Sequence, residues 1–239
     1  MRFPELEPKL MELEGLADEM RGNFRKMVGL ERPIYTHDHL IWQIGVRTRA
    51  VTKAFCNLIR EDNEYVASML IRINLEHILL LEAGERHSDG VDGFTLELLQ
   101  GKELREIKDK TGRRMSGGYL AEQFEQNGQY YNVDGVIVRI PSSKESGANT
   151  LKGVWSFYSG HVHFDPKWLV TNIDEIVQEQ GGTTVRHIFP IDTFTITGAN
   201  QEDIENWIYI MHLVARNVNV VLGGCIDHAT TYKWEQSEE

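Results

Sequence analysis

Residues 65–83 read YVASMLIRINLEHILLLEA, and this stretch decides the fold. Nearly every position is apolar and neither proline nor glycine interrupts it, which predicts a long helix. A helix that is apolar all round lies in the centre of a bundle, with neighbours on every side. The sequence therefore predicts a mainly α-helical bundle, formed as a single domain over 1–239, with this helix at its centre.

Other helices are predicted on both sides of this central segment. An amphipathic helix spans about 5–28, and the bundle core follows over about 36–165, beginning with a helix over about 37–60. The C-terminal helix is predicted over about 200–222, with Asn200 as its N-cap and Gly223-Gly224 as its end. Its apolar residues recur at alternating spacings of four and three, namely Ile204, Ile208, Met211, Ala215, Val218 and Leu222. Shorter helices are predicted over about 94–107, 116–126 and 149–161.

A small β element is predicted to interrupt the helical pattern. Residues 135–140 are rich in β-branched side chains and end at Pro141, which is typical of a strand. Two further short runs, 183–189 and 193–197, flank Pro190 and predict a β-hairpin. The predicted fold is thus a helical bundle with a β-hairpin or short sheet inserted at about 183–197.

Composition excludes several classes of protein. The 239 residues contain 25 Lys and Arg against 36 Asp and Glu, a net charge of −11, which argues against a general nucleic-acid coat protein. The two cysteines form no C-x-x-C pair, and neither a signal peptide nor a membrane span is predicted. We therefore expect a cytoplasmic protein without a cofactor. The apolar stripes of the first and last helices exceed the needs of one core, which predicts a homo-oligomer.

Two charged residues stand inside the central helix. Arg72 and Glu76 are four residues apart, so they share a face and can form an ion pair. Such a pair in a bundle centre is costly unless it is well satisfied. It either lines a polar pocket or holds the register of the helix as a structural pair.

Two H-x-H patterns raise the possibility of a metal site. His37 and His39 form one pattern, and His161 and His163 form the other. Histidines at i and i+2 share a face on a strand but diverge on a helix, and both patterns fall at predicted helix ends. Surface or capping histidines are the simpler interpretation, and no metal is assigned.

One segment of this acidic chain is locally basic. Residues 102–114 carry six Lys or Arg against three acidic side chains. Its last part predicts a charged turn, in which Lys108, Lys110, Arg113 and Arg114 are candidates for contacts with nucleic-acid phosphates. The alternative is a solvated helix end and turn.

A resemblance joins two of these features. The text Leu70-Ile71-Arg72-Ile73-Asn74-Leu75-Glu76 resembles the R-x-x-x-E helix of a HEPN-like and abortive-infection-like family of bacterial helical proteins. Tyr158-Ser159 and His163 are similar to the Y-S-x-x-x-H motif of that family. The likeness covers about residues 38–166 in outline.

The resemblance implies that Arg72, Glu76 and His163 approach one another, with Ser159 beside them. For a HEPN-type ribonuclease it further implies metal-independent RNA cleavage. Arg72 would stabilise the charged transition state, His163 would transfer protons, and Glu76 would orient the arginine. The alternatives are a nucleotide-binding protein, a non-catalytic homo-oligomeric interaction module, and a metal-dependent hydrolase that uses His37, His39, His161 and His163.

Overall fold

The predicted helical bundle is confirmed in outline by a computed structural model, which describes residues 1–29, 35–126, 152–156, 175–179, 182–186 and 199–236. A 3-10 turn over Pro4–Leu6 leads into the first helix. The helices are α1 (Glu7–Val28), α2 (Thr36–Arg60), α3 (Glu64–Arg86), α4 (Gly90–Leu99), α5 (Gly117–Gln126) and α6 (Gln201–Gln236), and residues 152–156 are also helical.

Four long helices form the described bundle, and the polar contacts between them give their directions. Contacts between α1 and α6 advance together along both helices, so these two are parallel. They join Lys9 to Glu205, Glu12 to His212 and Asn23 to Asn219. Helix α2 runs the opposite way, because Arg60 at its end meets Glu7 at the start of α1. A short connection then turns the chain into α3, which packs against α2 and α6, with α4 and α5 on its other sides.

The core consists of apolar stripes that face one another across the bundle. All six residues of the predicted α6 stripe are buried, which confirms that stripe. The stripe of α1 is equally buried and comprises Leu10, Leu13, Ala17 and Met20. Because α1 and α6 pack on each other, their stripes are used within one chain. The apolar stripes therefore no longer argue for a homo-oligomer, which stays a prediction.

Helix α3 contacts four other described helices, but they do not surround it on every side as predicted. One stripe of α3 faces solvent in the described structure and contains Val66, Ile73 and Glu76. The reason is that the described neighbours of α3 cover only part of its circumference. The apolar composition therefore identified a central helix without identifying its exposed side.

Two predicted helix ends are wrong. The helix predicted over about 94–107 runs from Gly90 to Leu99, because Gly101 adopts a positive φ of 86° and caps it. The amide of Lys102 donates to the carbonyl of Glu97 and that of Gly101 to Leu98, which is the Schellman arrangement. Helix α6 passes through Gly223-Gly224 and continues to Gln236. Gly101 ends its helix by taking the left-handed conformation, and neither Gly223 nor Gly224 does so.

The N-terminal cap of α6 is as predicted. The side chain of Asn200 accepts a hydrogen bond from the amide of Asp203, and the Asp203 carboxylate accepts one from the amide of Asn200. Asn63 occupies the N-cap of α3, but its side chain makes no capping hydrogen bond.

The β element differs from the predicted one where it is described. Strand β1 (Glu175–Glu179) pairs antiparallel with β2 (Gly182–Arg186). The predicted partner run, 193–197, lies outside the described residues, as do the strand over 135–140 and most of the helix over 149–161. The hairpin at 183–197 therefore stays a prediction.

Helix α6 also bears on the expectation of no membrane span. Its part Gln201–Ile226 is long and apolar enough to cross a membrane by length and composition alone. Slightly more than half of its most apolar window is buried against the rest of the chain. A core helix passes the same test, so this feature is weak and the location stays a prediction.

Candidate functional site

Arg72 lies at the edge of the bundle and pairs with Glu76, as the spacing predicts. The guanidinium Nη1 is 2.6 Å from Glu76 Oε1. The two partners differ in exposure: the Arg72 side chain is 8% exposed and the Glu76 side chain 53%. The pair therefore does not lie in the bundle centre. It connects a nearly buried cation to the solvent-facing stripe of α3.

An aromatic side chain covers this arginine. The guanidinium carbon of Arg72 is 4.4 Å from the centre of the Trp155 ring, within the range of a cation–π contact. Trp155 in turn packs on the start of α5, where a Cβ on Gly117 would lie 2.4 Å from the ring. The missing side chain of Gly117 thus leaves room for the tryptophan ring.

The segment 152–156 is fixed at its other end by charge. Lys152 Nζ is 3.1 Å from Glu122 Oε2 on α5. Ser159, His161 and His163 follow this segment and lie outside the described residues. Trp155 is four residues before Ser159 and eight before His163, so the chain that carries the second motif starts above Arg72. The approach of His163 to Arg72 stays a prediction.

The basic residues lie on a tight turn between α4 and α5. Asp109 and Gly112 occupy the first and last positions of this turn, and Gly112 has a φ of 84°. The amide of Asp109 donates to the carbonyl of Arg113, and an isolated bridge pairs Lys108 with Arg114. The predicted charged turn is therefore a short hairpin, which we call loop 108–114. The amide of Lys110 donates to the carbonyl of Arg86 and so ties the loop to the end of α3.

A buried carboxylate holds loop 108–114 together. Asp109 Oδ1 accepts hydrogen bonds from the amides of Thr111 and Arg113 and from the Thr111 hydroxyl, and Oδ2 accepts one from Tyr119. Burial of Asp109 raises its pKa, but these hydrogen bonds outweigh that effect and leave the pKa well below its ordinary value. The carboxylate is therefore charged at neutral pH and fixes the shape of the loop.

The four predicted phosphate contacts of this loop are exposed and uncompensated. Among the described residues, none of these side chains forms an ion pair with a carboxylate: Lys108, Lys110, Arg113 and Arg114. The other two cations of the segment are neutralised, because Lys102 pairs with Glu97 at 2.7 Å and Arg105 with Glu103 at 2.6 Å. Arg113 also lies over the Tyr119 ring at 4.0 Å, which restricts its position.

Helix geometry separates the two candidate regions. Arg72 and Arg86 are 14 residues apart on α3, which at 1.5 Å per residue is about 21 Å. The same spacing turns the helix to within about 40° of its starting direction, so the two residues lie on one side of α3. The start of α5 connects the two regions, because Trp155 packs on Gly117 and the Tyr119 hydroxyl bonds to Asp109.

The described part of the chain contains no metal site that would support the metal-dependent hydrolase. His37 Nδ1 is 3.0 Å from Asp92 Oδ1, whereas His39 is exposed, so the two side chains diverge as helical geometry requires. No group of three or more His, Cys, Asp or Glu side chains there has the arrangement of a metal site. His161 and His163 lie outside the described residues.

Three supporting residues were not predicted as part of either region: Trp155, Asp109 and Tyr119. Trp155 stands only three residues before Tyr158 in the second motif. This position could have drawn attention to it, but nothing in the sequence indicates that it contacts Arg72. Asp109 and Gly112 are residues typical of the first and last positions of a type I turn, so the sequence does indicate the loop. Tyr119 has no such signal, because its hydroxyl reaches Asp109 only through the start of α5.

Comparison with family models, curated proteins and solved structures finds no match for this chain.

Proposed function

We propose that the protein is a metal-independent ribonuclease whose catalytic centre forms around Arg72. The observation that carries this proposal is the Arg72–Trp155 stack, which holds a nearly buried arginine at the start of the chain that bears Ser159 and His163. A guanidinium that is preorganised in a partly water-excluded place stabilises developing negative charge on a phosphate. The same proposal places the protein in the cytoplasm.

The reaction assigned to this centre is attack by the 2′-hydroxyl on the neighbouring phosphorus. His163 removes the proton of that hydroxyl and later releases it to water, the P–O bond to the 5′-oxygen breaks, and the leaving 5′-oxygen takes a proton from water. The products are a 2′,3′-cyclic phosphate and a 5′-hydroxyl end. Arg72 neutralises the phosphorane-like transition state, Glu76 orients Arg72, and Ser159 adds a hydroxyl donor.

The experiment measures cleavage of a fluorescent single-stranded RNA in EDTA, with the products identified by mass spectrometry. We expect His163→Ala to lower the rate by about 10²–10⁴-fold, as loss of a general base does. We expect Arg72→Ala to lower it by about 10²–10³-fold, as loss of a charge-stabilising donor does.

The control variants change residues of the same types that have no role in the proposed reaction. His39 is an exposed histidine, and Arg105 pairs with Glu103 at the same 2.6 Å that separates Arg72 from Glu76. His39→Ala and Arg105→Ala should keep the wild-type rate. Absence of cleavage by the wild-type protein, or equal rates for His163→Ala and His39→Ala, rejects the proposal.

A second candidate is a non-catalytic module that pairs with another copy of itself. The exposed stripe of α3 favours it, because Val66 and Ile73 are each 38% exposed beside the Arg72–Glu76 pair. Light scattering should then give a dimer mass that Ile73→Lys reduces to a monomer. Val46→Lys, at a 42% exposed position of α2, is the control and should leave the mass unchanged. A monomeric wild type at all concentrations excludes this candidate.

A further inference from the structure

Loop 108–114 carries four exposed cations against one buried carboxylate, Asp109, in a chain whose net charge is −11. Two neighbouring cations, Lys102 and Arg105, are cancelled by glutamates, while the four side chains of the loop are left facing solvent. Mutual repulsion of exposed cations is unfavourable, and removing them would lower the repulsion without breaking a described ion pair. A polyanionic ligand supplies the compensation that the chain itself lacks.

The loop is also built to keep its shape. Asp109 accepts four hydrogen bonds, the amide of Lys110 is tied to α3, and Gly112 supplies the positive φ that closes the turn. Cations on such a fixed loop lose less conformational freedom on binding than cations on a disordered tail. Its rigidity therefore suits the binding of a ligand of defined shape better than non-specific attraction of small anions.

The position of the loop suggests the length of the ligand. The Cα atoms of Arg72 and of Arg86, whose carbonyl holds the loop, are about 21 Å apart along the axis of α3. A stacked strand advances about 3.4 Å per nucleotide, so roughly six nucleotides span this distance.

We propose that loop 108–114 docks the phosphate backbone of a single-stranded RNA whose continuation passes Arg72, so that the substrate is an oligonucleotide of about six residues or more. The inference rests on the proposed function for the identity of the strand. The loop binds phosphates without base specificity, since its exposed groups are cations and no exposed aromatic side chain accompanies them in the described loop.

Binding is measured apart from cleavage. The probe is a fluorescent 12-nucleotide RNA with 2′-O-methyl riboses, which has no attacking hydroxyl, and anisotropy gives its Kd from 50 to 200 mM NaCl. The variant Lys108→Gln/Lys110→Gln/Arg113→Gln/Arg114→Gln removes the loop cations. Its matched control is Lys102→Gln/Arg105→Gln, which removes cations of the same segment that are already paired.

The loop variant should bind at least about 10-fold more weakly at 50 mM NaCl. Its slope of log K against log salt should be smaller by about 3, since each lost phosphate contact removes about 0.7 for a single strand. The control should change the slope by much less. A 3-nucleotide probe should bind the wild type weakly, and its Kd should respond far less to the loop substitutions.

Several results overturn the inference. They are a wild type that does not bind the probe, a loop variant that binds like wild type, and a control that loses as much as the loop variant. Equal loop-dependent binding of a 12-residue poly-glutamate peptide would make the loop a general polyanion site and reject the RNA assignment. Loop-dependent binding without RNA cleavage in EDTA would reject the proposed function alone, whereas cleavage without loop dependence would reject the docking loop alone.

Discussion

His77 is a titratable ring that lies deep inside the described bundle. Its side chain is 4% exposed, and Nδ1 lies 2.9 Å from Thr48 Oγ1 and 3.2 Å from Asn74 Oδ1. Burial lowers the pKa of His77 from 6.5 to about 4, and the charge of Arg47 adds to the effect. The folded protein therefore holds this ring neutral in mildly acidic solution, where the unfolded chain protonates it.

This difference makes stability depend on pH. The unfolded state binds more protons between pH 6.5 and about 4, so stability is full above this window and falls as the pH drops through it. Between pH 7 and pH 5 the contribution of His77 to the free energy of unfolding should fall by about 2 kcal/mol. His77→Gln should reduce the pH dependence by that amount in urea titrations. His39→Gln is the exposed control, and an unchanged pH dependence in His77→Gln would contradict the prediction.

The Asp109–Tyr119 pair is the second residue-scale determinant, because it links loop 108–114 to α5. The Tyr119 hydroxyl donates to Asp109 Oδ2 at 2.5 Å, and both side chains are buried. Tyr119→Phe leaves a charged oxygen without this donor, which should lower the free energy of unfolding by about 1–3 kcal/mol. Tyr65→Phe, at a partly exposed position, should change it by much less. Equal effects in thermal unfolding would show that the hydrogen bond contributes little.

At this scale the sequence predicts pairing better than it predicts burial. The spacing of Arg72 and Glu76 fixes their contact, since residues four apart on a helix always face the same way. Their exposure depends on which neighbours cover α3, and this information lies in distant residues such as Trp155. The proximity of His163 depends on the same kind of information and stays a prediction.

At the scale of elements, close approach of α1 and α2 depends on one glycine. A Cβ on Gly45 would lie 2.7 Å from Phe24 Cζ and 3.1 Å from Leu222 Cδ1. Phe24 has little room to move, because its ring packs against Trp42 at 4.9 Å. The glycine in the middle of α2 thus admits an aromatic ring at the junction of three helices.

Two glycine substitutions should consequently have opposite signs. Gly45→Ala should lower the free energy of unfolding by about 1–3 kcal/mol, because it overpacks the junction. Gly22→Ala should raise it by about 0.5–1 kcal/mol, since the position is exposed, has open space around it, and favours alanine within a helix. Urea unfolding of both variants checks this. Stabilisation by both substitutions would mean that Phe24 yields to the new methyl group.

The helices themselves could be predicted from periodicity, but some of their ends could not. The stripe of α6 and its Asn200 cap are as the sequence indicates. Gly101 ends α4 and Gly223-Gly224 does not end α6, although all are glycines after an apolar run. The difference lies in the backbone conformation, which tertiary packing selects and composition does not record.

At the scale of the whole molecule, the sequence could not predict which helices lie side by side or in which direction each one runs. The parallel arrangement of α1 and α6 depends on contacts between residues nearly 200 positions apart, such as Asn23 and Asn219. Each stripe alone is equally consistent with pairing to a second copy, which is why the apolar excess suggested a homo-oligomer. Only the assembled bundle shows that the two stripes satisfy each other.

Charge also acts at this scale, and two effects of opposite sign compete. The net charge of −11 destabilises the compact state through repulsion spread over the surface. Attraction opposes it locally, for example where Arg60 bonds to both Glu7 and Glu14 at 2.7–3.1 Å. Salt screens charges that lie beyond its Debye length of about 10 Å at 0.1 M much more than it screens pairs in direct contact. Added salt should therefore weaken the repulsion between surface charges more than it weakens the attraction within ion pairs.

The free energy of unfolding of the wild type should accordingly rise between 0.05 and 0.5 M NaCl. Glu61 and Glu85 are exposed, have no described ion pair, and lie near the C-terminal ends of α2 and α3, where negative charge is unfavourable. Glu61→Gln/Glu85→Gln should add a few tenths to about 1 kcal/mol at low salt, and this gain should shrink at 0.5 M because salt already screens the same repulsion. Urea titrations at both salt concentrations measure the two differences. A wild type that loses stability with salt would mean that contacts such as the Arg60 cluster outweigh the repulsion of the whole surface.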